Sequence, residues 1–368
     1  MISECLETVR KYDKVIIFGA GVGGKTLYSL LKERGLSKRI LCFSDNNAMK
    51  FGRSYCEERI RVINPNELVS LYGTTPCVLV SSSAYPPIKA QLLSLGWEPE
   101  RVFLYNFAFM DLEYTDRDYI YDHIEDFERA YRRMSDEKSR KIFGCILNYR
   151  ITKNVEHLER MRPEIDDERF QYFDSGLFRY DRNETILDLG AYTGDTLLAY
   201  DSLYAEWGGY IGVEADALVY ERLNALIARR GWGAKAKTFR VAAWDKKETL
   251  YFSENPGSSS MSQKQEETHL GVQGERMDDL LSDTPVSFVK MDIEGAEFQA
   301  ISGMENLIRR NKPILAVCVY HRRDDFFRLT DLVERILPGE YQYALRQYRY
   351  TPTETVCYMV PKSRRLHG

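Results

Sequence analysis

Two stretches of the chain put acidic and basic groups where an apolar strand gives out. Lys290-Met-Asp292-Ile-Glu294-Gly-Ala-Glu297 follows the apolar run 286–291, and His321 follows the run 314–319. Carboxylates and an imidazole at strand ends can take a proton from a substrate group that is losing it. Glu297 falls in the first turn of the next helix, where it would favour the helix dipole without touching substrate. Asp292, Glu294 and His321 are therefore the candidate catalytic residues. A divalent ion held by these three side chains would be a second way to acidify a hydroxyl, although the residue types alone do not require a metal.

A second constellation lies upstream. The run from Asp188 through Gly190, Ala191 and Gly194 to Asp195 follows a buried strand and precedes a helix, so its glycines let backbone approach a ligand at the sheet's carboxyl edge. The third glycine of the dinucleotide fingerprint is missing, and Asp195 at the helix start would repel a pyrophosphate. The turn suits a cofactor without phosphates. Glu214 closes the next strand, where a carboxylate can accept both hydroxyls of a ribose or can cap the helix near Ala217. In Val241-Ala-Ala-Trp244-Asp245 the small Ala243 could admit an adenine ring, with Trp244 as its wall or as core.

These residues need a sheet to hold them. Strands at 185–189, 210–214, 238–241, 286–291 and 314–319, with helical segments between, predict a doubly wound sheet. Two runs with no helix between them, 341–345 and 355–360, predict an antiparallel hairpin at one edge. The start of the chain repeats the theme: a strand at 15–18, the turn Gly19-Ala-Gly21-Val-Gly-Gly24, a helix, and strands at 40–43, 77–80 and 102–104. Between the halves lies a charged, Tyr-rich stretch with helical periodicity, whose aromatics at 119–131 read as packing residues. The expected fold is α/β, with two doubly wound Rossmann-like domains at 1–110 and 165–360, a helical connector at 111–164, and a frayed tail at 361–368. The serine run at 258–260 reads as a short loop.

Over residues 165–360 the chain resembles the FkbM family of class I methyltransferases. The resemblance rests on Tyr172-Phe-Asp174, Leu187-Asp-Leu-Gly-Ala-Tyr-Thr-Gly-Asp-Thr196, Glu214-Ala-Asp216, and Phe288-Val-Lys-Met-Asp-Ile-Glu-Gly-Ala-Glu297 followed by Tyr320-His321. It implies S-adenosylmethionine as cofactor and methylation of a hydroxyl on a sugar, polyketide or other secondary metabolite. By the same resemblance Asp188 and Asp195 would be among the cofactor-binding residues, with Gly190, Ala191 and Gly194 lining the methionine and ribose end. Glu214 would bind the ribose, Ala243 the adenine, and Asp292 would floor the transfer site. Such a transfer is an in-line displacement, which requires an aligned acceptor oxygen and help with its proton. With His321 as general base, the rate would fall as the ring protonates near its ordinary pKa of about 6.5, or at higher pH if the carboxylates raise it.

The first half admits three readings. Gly19, Gly21 and Gly24, with Asp45 ending the next strand, satisfy the dinucleotide fingerprint and would indicate NAD. The segment also resembles the N-terminal domain of PglD-type sugar acyltransferases, with Ser44-Asp45-Asn46 and Ser81-Ser-Ser83 as matching features, which implies a nucleotide sugar. A fold kept for packing or for dimerisation is the third. For the whole chain, the rivals are an NAD-dependent oxidoreductase, which leaves the second glycine turn and Glu214 unexplained, and a non-catalytic nucleotide or nucleotide-sugar binding protein.

Composition narrows the partners. The 368 residues are 44% hydrophobic and 29% charged, with a net charge of -4, so no electrostatic footprint for nucleic acid is present. Seven scattered cysteines with no Cys-x-x-Cys pair argue against a disulfide framework or zinc, and fit a cytoplasmic protein. Residues 1–14 lack an apolar signal core, and no run approaches the roughly 18 apolar residues of a membrane span. A small-molecule or glycan acceptor is the expected partner.

Overall fold

The computed structural model describes residues 2–56, 59–82, 85–105, 116–154, 156–174, 176–204, 206–255, 258–262, 271–349, 351 and 353–364. The chain forms two compact units, one of residues 1–115, 152–162 and 350–352, the other of 116–151, 163–349 and 353–368.

In the first unit, β1 (Val15–Phe18), β2 (Ile40–Ser44), β3 (Ser54–Tyr55), β4 (Ile60–Ile63), β5 (Cys77–Val80) and β6 (Val102–Leu104) pair in the order β3-β4-β2-β1-β5-β6. All pairings are parallel except the short β3–β4 ribbon. β1 and β5 are buried along their whole length, as expected of strands covered on both faces. Helix Val22–Glu33 buries Leu27, Leu30 and Leu31.

In the second unit, β7 (Thr185–Leu189), β8 (Gly209–Val213) and β9 (Ala236–Phe239) lead into a separate small sheet. That sheet contains β10 (Ala242–Ala243), β11 (Glu248–Asn255), β12 (Ser258–Ser262) and β13 (Gly271–Glu275). The chain then returns through β14 (Phe288–Met291), β15 (Ile314–Cys318), β16 (Tyr341–Gln347) and β17 (Thr355–Pro361). The main sheet runs β16-β17-β15-β14-β7-β8-β9, with β17 antiparallel to both neighbours. This is the anticipated α/β fold with its edge hairpin. From β7 the order grows one way through β8 and β9, and from β14 it grows the other way through β15. The carboxyl ends of β7 and β14 therefore flank the switch point, where a crevice opens in sheets of this kind.

Three expectations change. The connection after β9 is a small sheet rather than a helix, and the serine run at 258–260 lies in β12, paired antiparallel with β11. Serines have no strong strand preference, so the pairing partner decides their conformation. Helices Arg117–Asp122, Ile124–Arg133 and most of Glu137–Thr152, read as a connector, cluster with the second unit. Phe127 packs edge-on against Phe327 at 5.0 Å, and Asp331 takes Arg129 at 2.5 Å and Arg133 at 2.8 Å. Phe127 is thus a packing residue, as read. The supposed tail begins inside β17 and continues as a turn over Lys362–Arg364, where Arg364 pairs with the buried Glu184 and donates to the Ser287 carbonyl at 3.0 Å. The first part of 111–164, the tail beyond 364 and Ser83 lie outside the described residues.

Candidate active site

The glycine turn is shaped by contacts at both of its ends. Gly190 has φ +77°, and a β-carbon there would sit 1.9 Å from the Asp292 carbonyl oxygen. This position must be glycine for the ends of β7 and β14 to meet. The amides of Gly190 and Ala191 both donate to the Val213 carbonyl at 3.0 Å, tying the turn to the end of β8. Gly194, at φ +90°, opens helix Asp195–Leu203, and a β-carbon there would strike Leu226 at 2.5 Å. Asp195 is exposed in the first turn of that helix.

Glu214 reaches this turn. One carboxylate oxygen accepts from the Tyr192 amide and the other from the Asp216 amide, both at 2.9 Å. The capping alternative belongs to its neighbour, since Asp216 takes the Val219 amide at 2.8 Å and caps helix Ala217–Arg230. Burial pushes the Glu214 carboxyl up while the backbone amides pull it down, and the net direction is up. Each oxygen keeps a lone pair, as two adjacent hydroxyls would need.

Asp292 stands at the end of β14 with its side chain 27% exposed. Its Oδ2 accepts from the Tyr172 hydroxyl at 3.1 Å, and its Oδ1 lies 3.3 Å from His321 Nε2. Burial alone would raise the Asp292 carboxyl, but His321, Lys290 and Tyr172 outweigh it and hold the group far below the usual carboxylate range. His321 is itself buried, with Nδ1 2.8 Å from Glu297 Oε1 and Nε2 3.7 Å from Glu294. Burial would lower its pKa, yet Asp292 and Glu297 overcome that and lift it to about 10. A ring raised this far favours its protonated form at neutral pH, and Nε2 is closed off from solvent; both weigh against the free-base role that the sequence suggested. Glu294, in the left-handed region at φ 55°, is half exposed and is raised chiefly by burial.

The site thus joins Asp292, Glu294 and His321 as expected, and brings Asp292 against the Gly190 turn. It adds Tyr172, Lys290 and Glu297. Lys290 is buried, 3.1 Å from Asp188 Oδ1 and donating to the Gly190 carbonyl at 2.7 Å. A lysine inside an otherwise apolar strand was the signal available in the sequence; Tyr172 stood in a motif of the family resemblance, with nothing local to place it on Asp292. Asp188, expected among the cofactor-binding groups, is fully buried and takes Tyr210 Oη at 2.7 Å besides Lys290, so it braces the turn from beneath. Ala243 is buried in β10. Trp244 is core, packed with Leu250, Val272 and Ala296, with its indole nitrogen on Glu248 at 2.6 Å.

These acceptors suit a cationic nucleoside better than a polyphosphate: acidic side chains stand near the ends of β7, β8 and β14, and Glu214 offers paired acceptors. Among the described residues no group of three or more His, Cys, Asp or Glu side chains is arranged to hold a metal ion.

In the first unit the glycine turn is occupied with its own packing. A β-carbon on Gly24 would lie 1.9 Å from the Gly19 carbonyl oxygen, and one on Gly19 2.9 Å from that of Ser81; Gly21 alone faces open space. Asp45 accepts from the Ala20 amide, the Asn47 amide and Lys50 Nζ, each at 2.8 Å. Among the described residues Cys42, Cys77, Cys318 and Cys357 are free thiols, and no helix is long and apolar enough to cross a membrane.

Comparison with known proteins agrees with this geometry. Residues 188–350 match the family described as the methyltransferase FkbM domain. Residues 11–103 match the C2185-like N-terminal domain, which stands in place of the sugar-acyltransferase domain expected there. Among solved structures, the chain is similar to methyltransferase FkbM from Methylobacillus flagellatus, at 20% identity and TM-score 0.63, over 97% of this chain and 93% of that one. Fibrillarin from Aeropyrum pernix, solved with bound S-adenosylmethionine, aligns at 12% identity and TM-score 0.33 over 52% of this chain and 73% of that one. No curated protein sequence matches. Residues 188–350, which hold the Gly190 turn and Asp292, match the FkbM domain, and the chain is an S-adenosylmethionine-dependent methyltransferase.

Proposed function

We propose that the enzyme methylates a hydroxyl of a sugar or another small polyhydroxylated acceptor, with Asp292 as the group that receives that hydroxyl. The observation carrying this reading is the partly exposed Asp292 carboxylate, kept ionised by Lys290, Tyr172 and His321 beside the Gly190 turn. When bound, S-adenosylmethionine supplies an electrophilic methyl group on a sulfonium. Glu214 would accept the ribose hydroxyls, the 190–194 backbone would line the methionine end, and Ala243 would leave room for the adenine. Asp292 accepts the acceptor's O–H and fixes the direction of its lone pair. A carboxylate of such low basicity is a weak base, so it contributes mainly through alignment, and the proton would pass late to solvent water at the exposed edge of Asp292. Glu294, at the rim, offers a second acceptor to a polyol.

The test is formation of S-adenosylhomocysteine on a panel of monosaccharides and nucleotide sugars, comparing wild type with Asp292→Asn. Because Asp292 acts by alignment, a loss of about a hundredfold is expected on any accepted sugar, with donor affinity kept. Undiminished turnover in Asp292→Asn would place the chemistry elsewhere, and turnover confined to acceptors without a hydroxyl would replace the substrate class.

A further inference from the structure

The His321 ring is gripped from both sides, and only one grip belongs to the transfer site described above. We propose that Glu297 is a positioning residue of this site, fixing the plane of the His321 ring from the side opposite Asp292 so that the ring edge stands against the Asp292 carboxylate. The role rests on placing methyl transfer at Asp292.

Glu297 is the first residue of helix Glu297–Ser302 and is fully buried. Its Oε1 faces His321 Nδ1 at 2.8 Å and also accepts from the Ile293 amide at 3.2 Å. One oxygen therefore ties the imidazole to the loop residue that follows Asp292. Its Oε2 has no hydrogen-bond partner. Withdrawing a carboxylate from water is costly unless a charge compensates it, and the ring is the cation in direct contact. A helix N-terminus alone would account for an acidic residue here, but not for a carboxylate bonded at once to the ring and to the loop.

Proton counting supports the same role. A neutral imidazole has one N–H, yet both ring nitrogens face carboxylate oxygens, at 2.8 Å and 3.3 Å. Only Nδ1 is hydrogen bonded, while Nε2 faces Asp292 at ion-pair distance with no hydrogen-bond partner among the described residues; a neutral ring would set a lone pair against one carboxylate, whereas a protonated ring is attracted to both. The charged and titratable groups around the ring are Asp292 and Glu294 on the loop after β14, Glu297 on its helix, Asp325 on helix Asp325–Ile336, and Tyr320, whose ring lies 4.2 Å away and whose hydroxyl burial pushes up. Lys290 acts on Asp292 from β14. Asp325 is buried, accepts from the Arg322 amide at 2.7 Å, and is raised to about 7 by burial and by Glu297, so it does not compete fully for the ring's charge. Glu297 bears on Asp292 through the His321 ring and through the Ile293 amide.

The experiment is a ¹⁵N NMR titration of the histidine rings in the full-length protein, the His321 signals being assigned among the five histidines by their loss in His321→Gln. Wild type should show a doubly protonated ring through pH 8. Glu297→Gln keeps an oxygen for the ring and the loop but removes the charge, and should move the titration down by at least one pH unit. In the same variant calorimetric affinity for S-adenosylmethionine should change less than threefold, and turnover on the sugar panel should fall at least tenfold, with Glu297→Asp recovering part of it. An unchanged His321 titration in Glu297→Gln overturns the proposal. Should that variant fail to fold, a wild-type ring titrating near its ordinary pKa overturns it equally. If Asp292→Asn stays active while the titration shifts as stated, transfer at Asp292 is what fails, and Glu297 remains the partner that charges the ring.

Discussion

At the scale of single residues, the site's pH response follows from which groups hold protons. His321 is raised to about 10 and Asp292 is held low, so neither changes charge between pH 6 and 8. The rate should not fall towards pH 6 through protonation of His321, and should decline as pH rises through about 10, where the ring loses its proton. A fall centred near pH 6.5 that disappears in His321→Gln would restore the ring as base. The same ring contributes stability that is fully present below its ordinary value of about 6.5 and lost as pH rises through 10. Glu214→Ala should weaken S-adenosylmethionine by about 1.5 to 3 kcal/mol, because the ribose hydroxyls lose a charged acceptor. Its effect should appear in donor affinity measured by calorimetry, and an unchanged affinity in folded protein removes Glu214 from the cofactor site. All the groups just named were visible as candidates in the sequence. Their protonation states were not, because a pKa is set by neighbours that the fold collects from distant parts of the chain.

Elements impose their own demands on the site. Gly190→Ala should destabilise the second unit by more than about 2 kcal/mol, since it combines a left-handed backbone with a direct clash against the Asp292 carbonyl. Thermal unfolding would read this, and a melting temperature within a degree of wild type would mean that the ends of β7 and β14 part easily. Helix Asp325–Ile336 carries a buried acid whose pKa is raised, by burial first and Glu297 second, to about 7 from 3.8. The folded state then binds this proton more tightly than the unfolded chain, so the contribution of Asp325 to stability declines as pH rises from about 4 to 7. Asp325→Asn should consequently stabilise the protein at pH 8 by up to about 4 kcal/mol, and less at pH 5; equal shifts at both pH values would contradict this. The strands of the main sheet were legible from apolar runs of five or so residues and the turns that bound them. The small sheet was not, because β10 is only two residues long and β12 is a polar serine segment whose pairing with β11 cannot be read locally.

For the whole molecule, the two glycine turns make different predictions. The first-unit turn uses Gly19 and Gly24 for its own packing and spends Asp45 on Ala20, Asn47 and Lys50. Methyl transfer should accordingly proceed without added nicotinamide, and NAD should leave the melting temperature unchanged. S-adenosylmethionine at about a hundred times its dissociation constant should stabilise the native state by about 2.7 kcal/mol. Thermal shift with both ligands decides the matter: stabilisation by NAD, or absorbance showing hydride transfer, would reinstate a redox role for the first unit.

What the sequence determined by itself was the alternation of strands and helices, the glycine turn after β7, and the acidic and imidazole groups at strand ends. These are local properties: periodicity, a turn that needs glycine, and a residue's place along its own strand. Only the tertiary structure decided what those groups do. The strand order sets β7 beside β14, so Gly190 meets Asp292 across about a hundred residues of chain. It likewise sets Asp188 beneath Lys290, Tyr172 on Asp292, and Glu297 behind His321. Charge and protonation in a buried site depend on distances of 3 to 4 Å between groups far apart in the chain, and these distances exist only once the sheet has formed.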